Sequence, residues 1–116
     1  IYIENLPQPL EGLQIVHITD IQGDEYTGNK EIRNYIKYVN NQNPDLIIFT
    51  GDLISYGTDF IDMSAQELGK AKSTYGTIAV VGDHDYWAGL DNIEPALNNQ
   101  NIPLIQDKNH TIQINS

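Results

Sequence analysis

Three short apolar runs, each followed by an aspartate, recur along this chain at nearly equal intervals. The runs are Ile15–Thr19, Leu46–Thr50 and Thr77–Val81, and their acids are Asp20, Asp52 and Asp83. Asp52 follows Asp20 by 32 positions and Asp83 follows Asp52 by 31, close to the ~30 residues that one βαβ unit occupies. Parallel strands in such units end at the same edge of the sheet, where ligands bind. The spacing therefore predicts that the three aspartates lie together.

Helical patterns occupy the two gaps between these runs. Asn29 is predicted to cap a helix that extends to about Asn40, with its apolar residues on one amphipathic stripe. A second helix is predicted from about Asp59 to Lys72. Alternating strands and helices indicate an α/β fold, built as βαβαβ around a mostly parallel sheet.

The last third of the chain carries weaker signals. Gly82–Gly89 is predicted to be a loop, and Leu90–Asn99 a short helix weakened by Pro95. Ile102–Ile105 and His110–Ile114 have the composition of two short strands. These segments extend the α/β pattern without adding a recognisable repeat.

The composition limits the classes of function open to this chain. Its 116 residues make one small domain or a piece of a larger one. A formal net charge of −10 argues against a nucleic-acid binder that works by neutralising phosphates. The absence of cysteine excludes disulfides, thiolate nucleophiles and cysteine-ligated zinc. The longest apolar runs have about five residues, far fewer than the ~20 of a membrane-spanning helix.

Three carboxylates at one sheet edge would repel one another unless a positive charge joins them. Only Lys30 lies near the three loops in sequence, so a bound divalent cation is the natural compensation. Helix capping is the alternative explanation for an aspartate after a strand, but none of the three directly precedes a predicted helix. His17 lies inside the first strand, where we expect a hydrogen-bonded core or interlayer histidine rather than a ligand.

The residues at the three strand ends form an ordered set of motifs. Asp20-Ile21-Gln22, Gly51-Asp52 and Gly82-Asp83-His84-Asp85 come in the order of the motifs D-x-H, G-D and G-N-H-[DE]. The chain therefore resembles the calcineurin-like metallophosphoesterase family. The resemblance covers the N-terminal half of a family domain, so residues 1–116 are expected to be the N-terminal part of a single domain. Its fold would be half of a four-layer α/β/β/α sandwich.

The resemblance implies a dinuclear metal site and gives the motif acids their roles. Asp20 and Gln22 occupy the positions of ligands to the first metal, Asp52 matches the carboxylate that bridges both metals, and Asp83 matches a ligand of the second. Oxygen-rich ligands suit Mn, Fe, Zn or Mg, and two such divalent ions are expected. Metal-activated hydroxide would then hydrolyse a phosphomonoester or a phosphodiester.

The resemblance also implies an acid for the leaving group. His84 matches the histidine that contacts the phosphate and protonates the leaving oxygen, and Asp85 matches its orienting partner. Relatives with a similar lead-in, Leu6-Pro7 to Gly12-Leu13, are often tethered to or exported across a membrane. A tether upstream of this chain is compatible with that resemblance, and the compartment and oligomeric state stay open.

Gln22 departs from the family motif, which has histidine at this position. Its amide oxygen is a weak neutral ligand, so the first metal site should be weakened or lost, while Asp83 adds an anion where the motif has asparagine. The alternative function is therefore a degenerate module that kept the fold and acts in binding or regulation without catalysis. A receiver-like signalling domain needs paired acids after the first strand and a lysine after a late strand, but Asp20 is followed by Ile21-Gln22 and Lys108 is poorly placed. A haloacid-type phosphatase needs D-x-D after its first strand, and that motif is also missing.

Overall fold

The computed structural model describes residues 1–114 as a parallel three-stranded sheet with four α-helices. In chain order the elements are a 3-10 helix (Gln8–Leu10), β1 (Ile15–Ile18), α1 (Asn29–Asn41), β2 (Leu46–Phe49), α2 (Ile61–Leu68), β3 (Thr77–Ala79), α3 (Asp83–Ala88) and α4 (Leu90–Asn98). The strand order is β1-β2-β3 and both pairs are parallel, which confirms the predicted βαβαβ arrangement.

The helices cover one face of the sheet and form the core there. The register places Ile18 beside Phe49 and Phe49 beside Ala79, so these side chains share that face. Phe49 and Ala79 are buried with apolar residues from three helices: Ile32 and Ile36 of α1, Ile61, Ala65 and Leu68 of α2, and Ile93, Ala96 and Leu97 of α4. Ile32 and Ile36 of the amphipathic stripe predicted for α1 enter this core, whereas Tyr35 of the same stripe is 48% exposed.

The opposite face of the sheet is open among the residues that the structure describes. Ile15 is 51% exposed and Val80 is 38% exposed, and Ile48 and Ile78 are half-buried. His17 lies on this face and its Nε2 is 2.6 Å from Thr50 Oγ1. The hydrogen bond was expected, but the imidazole is exposed because no described layer covers it. One helical layer and one sheet layer are consistent with half of the four-layer sandwich.

The prediction of a loop at Gly82–Gly89 is wrong, because residues 83–88 form α3. Asp85 is the third residue of this helix, and its Oδ2 accepts the Gly82 N–H at 3.0 Å. A carboxylate that bonds back to the cap residue closes the first helical turn. Asp83 is consequently the first residue of a helix, contrary to the expectation that no helix directly follows the three aspartates.

Other boundaries differ in smaller ways. α1 is capped by Gly28 rather than Asn29, and α2 ends at Gly69, which packs so closely against Gln100 that an added Cβ would lie 2.9 Å from its Cβ. In the C-terminal region Leu104 forms an isolated parallel bridge with Ala79 instead of a full strand, and residues 110–114 form no strand. Within residues 1–114, no helix combines the length and apolar character that crossing a membrane requires.

Candidate metal and phosphate site

The loops after β1 and β2 are joined by backbone hydrogen bonds that continue beyond the strands. The Asp20 N–H donates to the Gly51 carbonyl and the Gln22 N–H donates to the Asp52 carbonyl, both at 3.0 Å. Asp20, Gln22 and Asp52 have φ angles of +55°, +55° and +57°. Residues other than glycine rarely adopt this left-handed conformation, and such strain is concentrated at functional sites. The first two motifs are therefore held together at one sheet edge.

Two glycines let the second and third motifs approach each other. Gly51 has a φ of +97°, and a Cβ added to it would lie 2.6 Å from the Gly82 Cα. A Cβ added to Gly82 would lie 2.6 Å from the Asp52 backbone nitrogen and would also meet the Asp52 carboxylate. Both contacts are closer than any side chain tolerates. The Asp52 carboxylate thus lies directly against the turn into α3.

Asp52, Asp83 and His84 form one compact group of potential metal ligands. One oxygen of each carboxylate and one imidazole nitrogen lie within 4.8 Å of one another. The backbone N–H of His84 is 3.2 Å from Asp52 Oδ1 and 3.0 Å from Asp83 Oδ1, so both carboxylates point to the same place. Asp83 is exposed, and the other two residues are half-buried. This arrangement confirms that the second and third motifs converge.

The electrostatics of Asp52 favour a cation beside it. Burial raises the pKa of its carboxyl, the His84 N–H opposes that shift, and the Asp83 carboxylate adds to the increase. The lysine and arginine ion pairs seen within residues 1–114 are both made to Glu67, far from this edge in sequence. Among the described residues no lysine or arginine pairs with these carboxylates, and the His84 imidazole opposes only part of the increase in the Asp52 pKa.

Asp20 and Gln22 lie next to this group without being part of it. The Gln22 Nε2 donates to Asp52 Oδ2 at 3.2 Å, so an N–H rather than an oxygen faces the carboxylate. Asp20 Oδ2 accepts the hydroxyl proton of Thr19 at 2.6 Å, and the Asp20 side chain is exposed. Both predicted first-metal ligands are thus at the same edge of the sheet, where Gln22 contacts Asp52, whereas the Asp20 carboxylate is not gathered with Asp83 and His84 among the described residues.

His84 is oriented by a backbone carbonyl. Its Nδ1 makes a short hydrogen bond with the carbonyl oxygen of Ser55. A carbonyl only accepts, so Nδ1 carries the proton and Nε2 is the free ring nitrogen. The Trp87 ring, 72% exposed, packs against the imidazole with 5.2 Å between centroids. Ser55 was not among the predicted site residues, because a backbone carbonyl leaves no signal in the side-chain pattern.

Asp85 has a different partner from the one expected. Its carboxylate is 1% exposed and accepts backbone N–H groups from Asp52 and Leu53, both at 2.8 Å, and from Gly82 at 3.0 Å. The expected hydrogen bond to the His84 ring is not formed among the described residues. Three N–H donors saturate the carboxylate, which ties the turn after β2 to the start of α3 and so positions Asp52.

The acids of the first loop are engaged elsewhere. Asp24 accepts the Ser55 hydroxyl and the N–H groups of Tyr26 and Thr27, each at 2.8 Å, and these bonds lower its pKa. The Glu25 carboxylate accepts the hydroxyl of Tyr56. Neither carboxylate belongs to the metal-ligand group of the described residues.

Comparison with known proteins identifies the family. The calcineurin-like phosphoesterase family profile matches residues 13–114, which is most of the chain. The chain belongs to the calcineurin-like phosphoesterase family. The resemblance drawn from the three strand-end motifs is thereby confirmed. No solved structure matches the chain significantly.

Several curated relatives carry the family name. A zebrafish (Danio rerio) transmembrane protein with metallophosphoesterase domain is 32% identical over 73% of this chain and 20% of its own length. An uncharacterized metallophosphoesterase of Campylobacter jejuni is 29% identical over 90% of this chain and 28% of its own. The UDP-2,3-diacylglucosamine pyrophosphatase LpxG of Chlamydia muridarum is 30% identical over 66% and 24%. The chain thus spans about a quarter of the length of these relatives.

The donor set of this phosphoesterase chain fits a divalent cation. Two carboxylates and an imidazole within 4.8 Å are the mixture of oxygen and nitrogen ligands that suits Mn, Fe or Zn, and Mg through the carboxylates alone. Among the described residues no lysine or arginine pairs with the Asp52 carboxylate, which lies in a space that only glycine at position 82 allows. These features support a metal centre at this edge of the sheet.

Proposed function

We propose that the whole protein is a metal-dependent phosphoesterase, which hydrolyses a phosphomonoester or a phosphodiester, and that residues 1–116 are the N-terminal part of its single catalytic domain. The compact group of Asp52, Asp83 and His84, at the carboxyl edge of a parallel sheet in a calcineurin-like phosphoesterase, carries this proposal. Asp20, Gln22 and Asp85 complete the site around that group.

The carboxylates are proposed to hold the cation and the imidazole to serve the leaving group. A divalent cation, when bound, lowers the pKa of a water ligand and neutralises charge on the phosphoryl oxygens. Asp52 and Asp83 supply anionic oxygens for such a cation. The expectation of two ions of Mn, Fe, Zn or Mg comes from the family resemblance and stays a prediction.

His84 is proposed to protonate the leaving oxygen from Nε2. The Ser55 carbonyl keeps a proton on Nδ1, so a second proton on Nε2 gives an imidazolium whose positive charge that carbonyl stabilises. Donation from Nε2 to the departing alkoxide returns the ring to its neutral form. Trp87, whose ring lies tilted by 36° against the imidazole, limits the directions in which the imidazole can turn.

A comparison of leaving groups in the full-length protein tests this role. His84→Asn should lower kcat by ~10²–10⁴-fold for an alkyl phosphodiester, because general acids contribute about that much. The loss should be much smaller for a p-nitrophenyl ester, whose leaving group needs no proton. Bound Mn²⁺ should be unchanged if His84 acts as an acid. Equal losses for both substrates, or loss of the metal, would contradict the assignment.

His110→Asn provides the matched control. His110 is exposed and lies outside every helix and strand of the described residues, so this substitution should leave both rates unchanged.

Asp52→Asn tests the metal centre itself, since it removes a carboxylate charge from the ligand group. It should abolish hydrolysis of both substrates and reduce bound Mn²⁺ together.

The contact between Gln22 and Asp52 supports the alternative, a metal-poor module that acts in binding or regulation. An amide N–H on Asp52 Oδ2 partly satisfies the carboxylate without any metal. Turnover of either phosphodiester by wild-type protein, with stoichiometric metal, would exclude that alternative. Metal-free protein without turnover would favour it over the phosphoesterase proposal.

A further inference from the structure

We infer that Gln22 takes the place of one of the two cations expected beside Asp52, so that the centre holds a single divalent ion on its Asp83 side. The inference rests on the proposed function only in treating this edge as a metal centre. It is carried by the orientation of the Gln22 side chain and by the composition of the ligand group.

The two oxygens of Asp52 face different surroundings. Oδ1 accepts the backbone N–H of His84 at 3.2 Å, and the same N–H lies 3.0 Å from Asp83 Oδ1. Oδ2 accepts the Gln22 side-chain N–H at 3.2 Å. An amide nitrogen has no lone pair to offer a metal, so Gln22 presents a hydrogen-bond donor at the position where a bridging carboxylate would present its second oxygen to a cation.

The remaining ligands on the Oδ2 side are few. Asp20 is exposed, its carboxylate accepts the Thr19 hydroxyl, and it does not enter the group formed within residues 1–114. The Oδ1 side, by contrast, carries a second carboxylate, that of Asp83. Of the described donors, those that could hold a cation firmly therefore lie on one side of Asp52.

The distribution of charge around Asp52 also favours a single cation on its Asp83 side. A neutral amide donor stabilises a carboxylate without bringing a positive charge to the Oδ2 side. Asp83 adds a full negative charge to the Oδ1 side, which strengthens the attraction for one cation there. The left-handed backbone at Gln22, held by its N–H bond to the Asp52 carbonyl, places the residue beside Asp52, and its side chain then reaches Oδ2.

Metal stoichiometry in the full-length protein tests the inference without any substrate. Wild-type protein dialysed against excess Mn²⁺ should retain one ion per chain, with the electron paramagnetic resonance spectrum of an isolated ion. Gln22→His, which replaces the donor by an imidazole ligand, should raise the count to two, with the spectrum of a coupled pair. Gln22→Glu supplies a carboxylate oxygen at the same place and serves as a second route to that result.

Gln66→His is the matched control, because Gln66 is an exposed residue of α2 and the same change there should leave one ion per chain. Two ions, or none, in the wild type would overturn the inference. One ion in both Gln22→His and Gln22→Glu, with each variant folded by circular dichroism, would also overturn it. If neither variant folds, the wild-type count and spectrum decide. One bound ion without hydrolysis would contradict the proposed function but would agree with this inference.

Discussion

At the scale of single residues, Glu67 shows how a buried charge is held. Its side chain is 2% exposed and lies on α2, where Arg33 Nη2 approaches it to 2.8 Å and Lys70 Nζ to 2.7 Å. Asn29 of α1 donates a further bond at 3.3 Å. A buried carboxylate without these donors would cost several kcal/mol. The network therefore holds α2 against α1.

Glu67→Gln should destabilise the protein in a pH-dependent way. The Arg33 hydrogen bond, followed by the Lys70 contacts, lowers the Glu67 pKa from 4.5 to about 2. A depressed pKa means that the stabilisation is complete above about pH 4.5 and is lost as the pH falls toward 2. The difference in unfolding free energy between wild type and Glu67→Gln should be about 2 kcal/mol at pH 7, because Arg33 and Lys70 are half exposed and screened.

Urea denaturation of both proteins from pH 7 to pH 2.5 measures this difference. The difference in unfolding free energy between wild type and Glu67→Gln should shrink steadily below pH 4.5. The control is Glu11→Gln, a change at an exposed turn residue, which should show no such trend. A gap between wild type and Glu67→Gln that stays constant down to pH 2.5 would refute the ionic account of this network.

At the scale of elements, α3 is the part of the fold that joins the motifs. Its first turn places Asp83 and His84, and its Asp85 carboxylate accepts N–H groups from the turn after β2. A helix of six residues is too short to be stable by itself. The hydrogen bonds to Asp85 and the packing of α3 on α4 thus hold it in place.

Asp85→Asn should loosen this connection. Asparagine keeps one acceptor oxygen but presents an NH₂ to backbone N–H groups, so at least one of three buried bonds is replaced by a repulsive contact. The expected loss is about 2–3 kcal/mol, the cost of an unsatisfied buried donor that had a charged partner. Thermal melting of metal-free protein measures it. Asp91→Asn, at an exposed position in the first turn of α4, is the control and should change the melting temperature little.

The same variant should weaken Mn²⁺ binding, since the Asp52 backbone is released. Unchanged metal affinity in a destabilised Asp85→Asn protein would mean that Asp85 supports the fold without positioning the ligands.

The order of strands and helices up to β3 could be predicted from the sequence, whereas α3 and the partners in the site could not. Apolar periodicity is local, so the βαβαβ pattern and the three strand ends were recognisable. The partner of His84 depends on Ser55, which lies 29 positions earlier and contributes only a carbonyl. The resemblance implied that Asp85 orients that imidazole. In the folded protein the Asp85 carboxylate instead accepts three backbone N–H groups.

At the scale of the whole molecule, the open face of the sheet is the main unfilled surface of the described residues. Ile15, Ile48, Ile78 and Val80 lie on it around the His17 imidazole. In the four-layer sandwich of the calcineurin-like phosphoesterases, a second sheet would cover such a face. Apolar side chains at these positions are consistent with that burial in the whole domain.

Ile15→Asp should therefore make residues 1–116 less prone to associate when produced alone, but should destabilise the full-length protein. In residues 1–116 produced alone, it should reduce binding of a hydrophobic dye and self-association, because an exposed apolar face promotes both. In the full-length protein, it should lower stability by several kcal/mol, because the charge would be buried between sheets. Tyr38→Asp, on the exposed side of α1, is the control for both measurements. Full-length protein that tolerates Ile15→Asp would contradict a covering sheet.

The sequence by itself determined which segments become strands, that their ends share one edge and that acids gather there, because strand polarity and apolar spacing are set along the chain. Only the tertiary structure decided that Asp85 holds backbone, that Ser55 orients His84 and that Gln22 offers Asp52 an N–H. These pairings join residues about 30 positions apart. They depend on atomic positions that the packing of the loops fixes to within a few tenths of an ångström. No local sequence pattern encodes such positions.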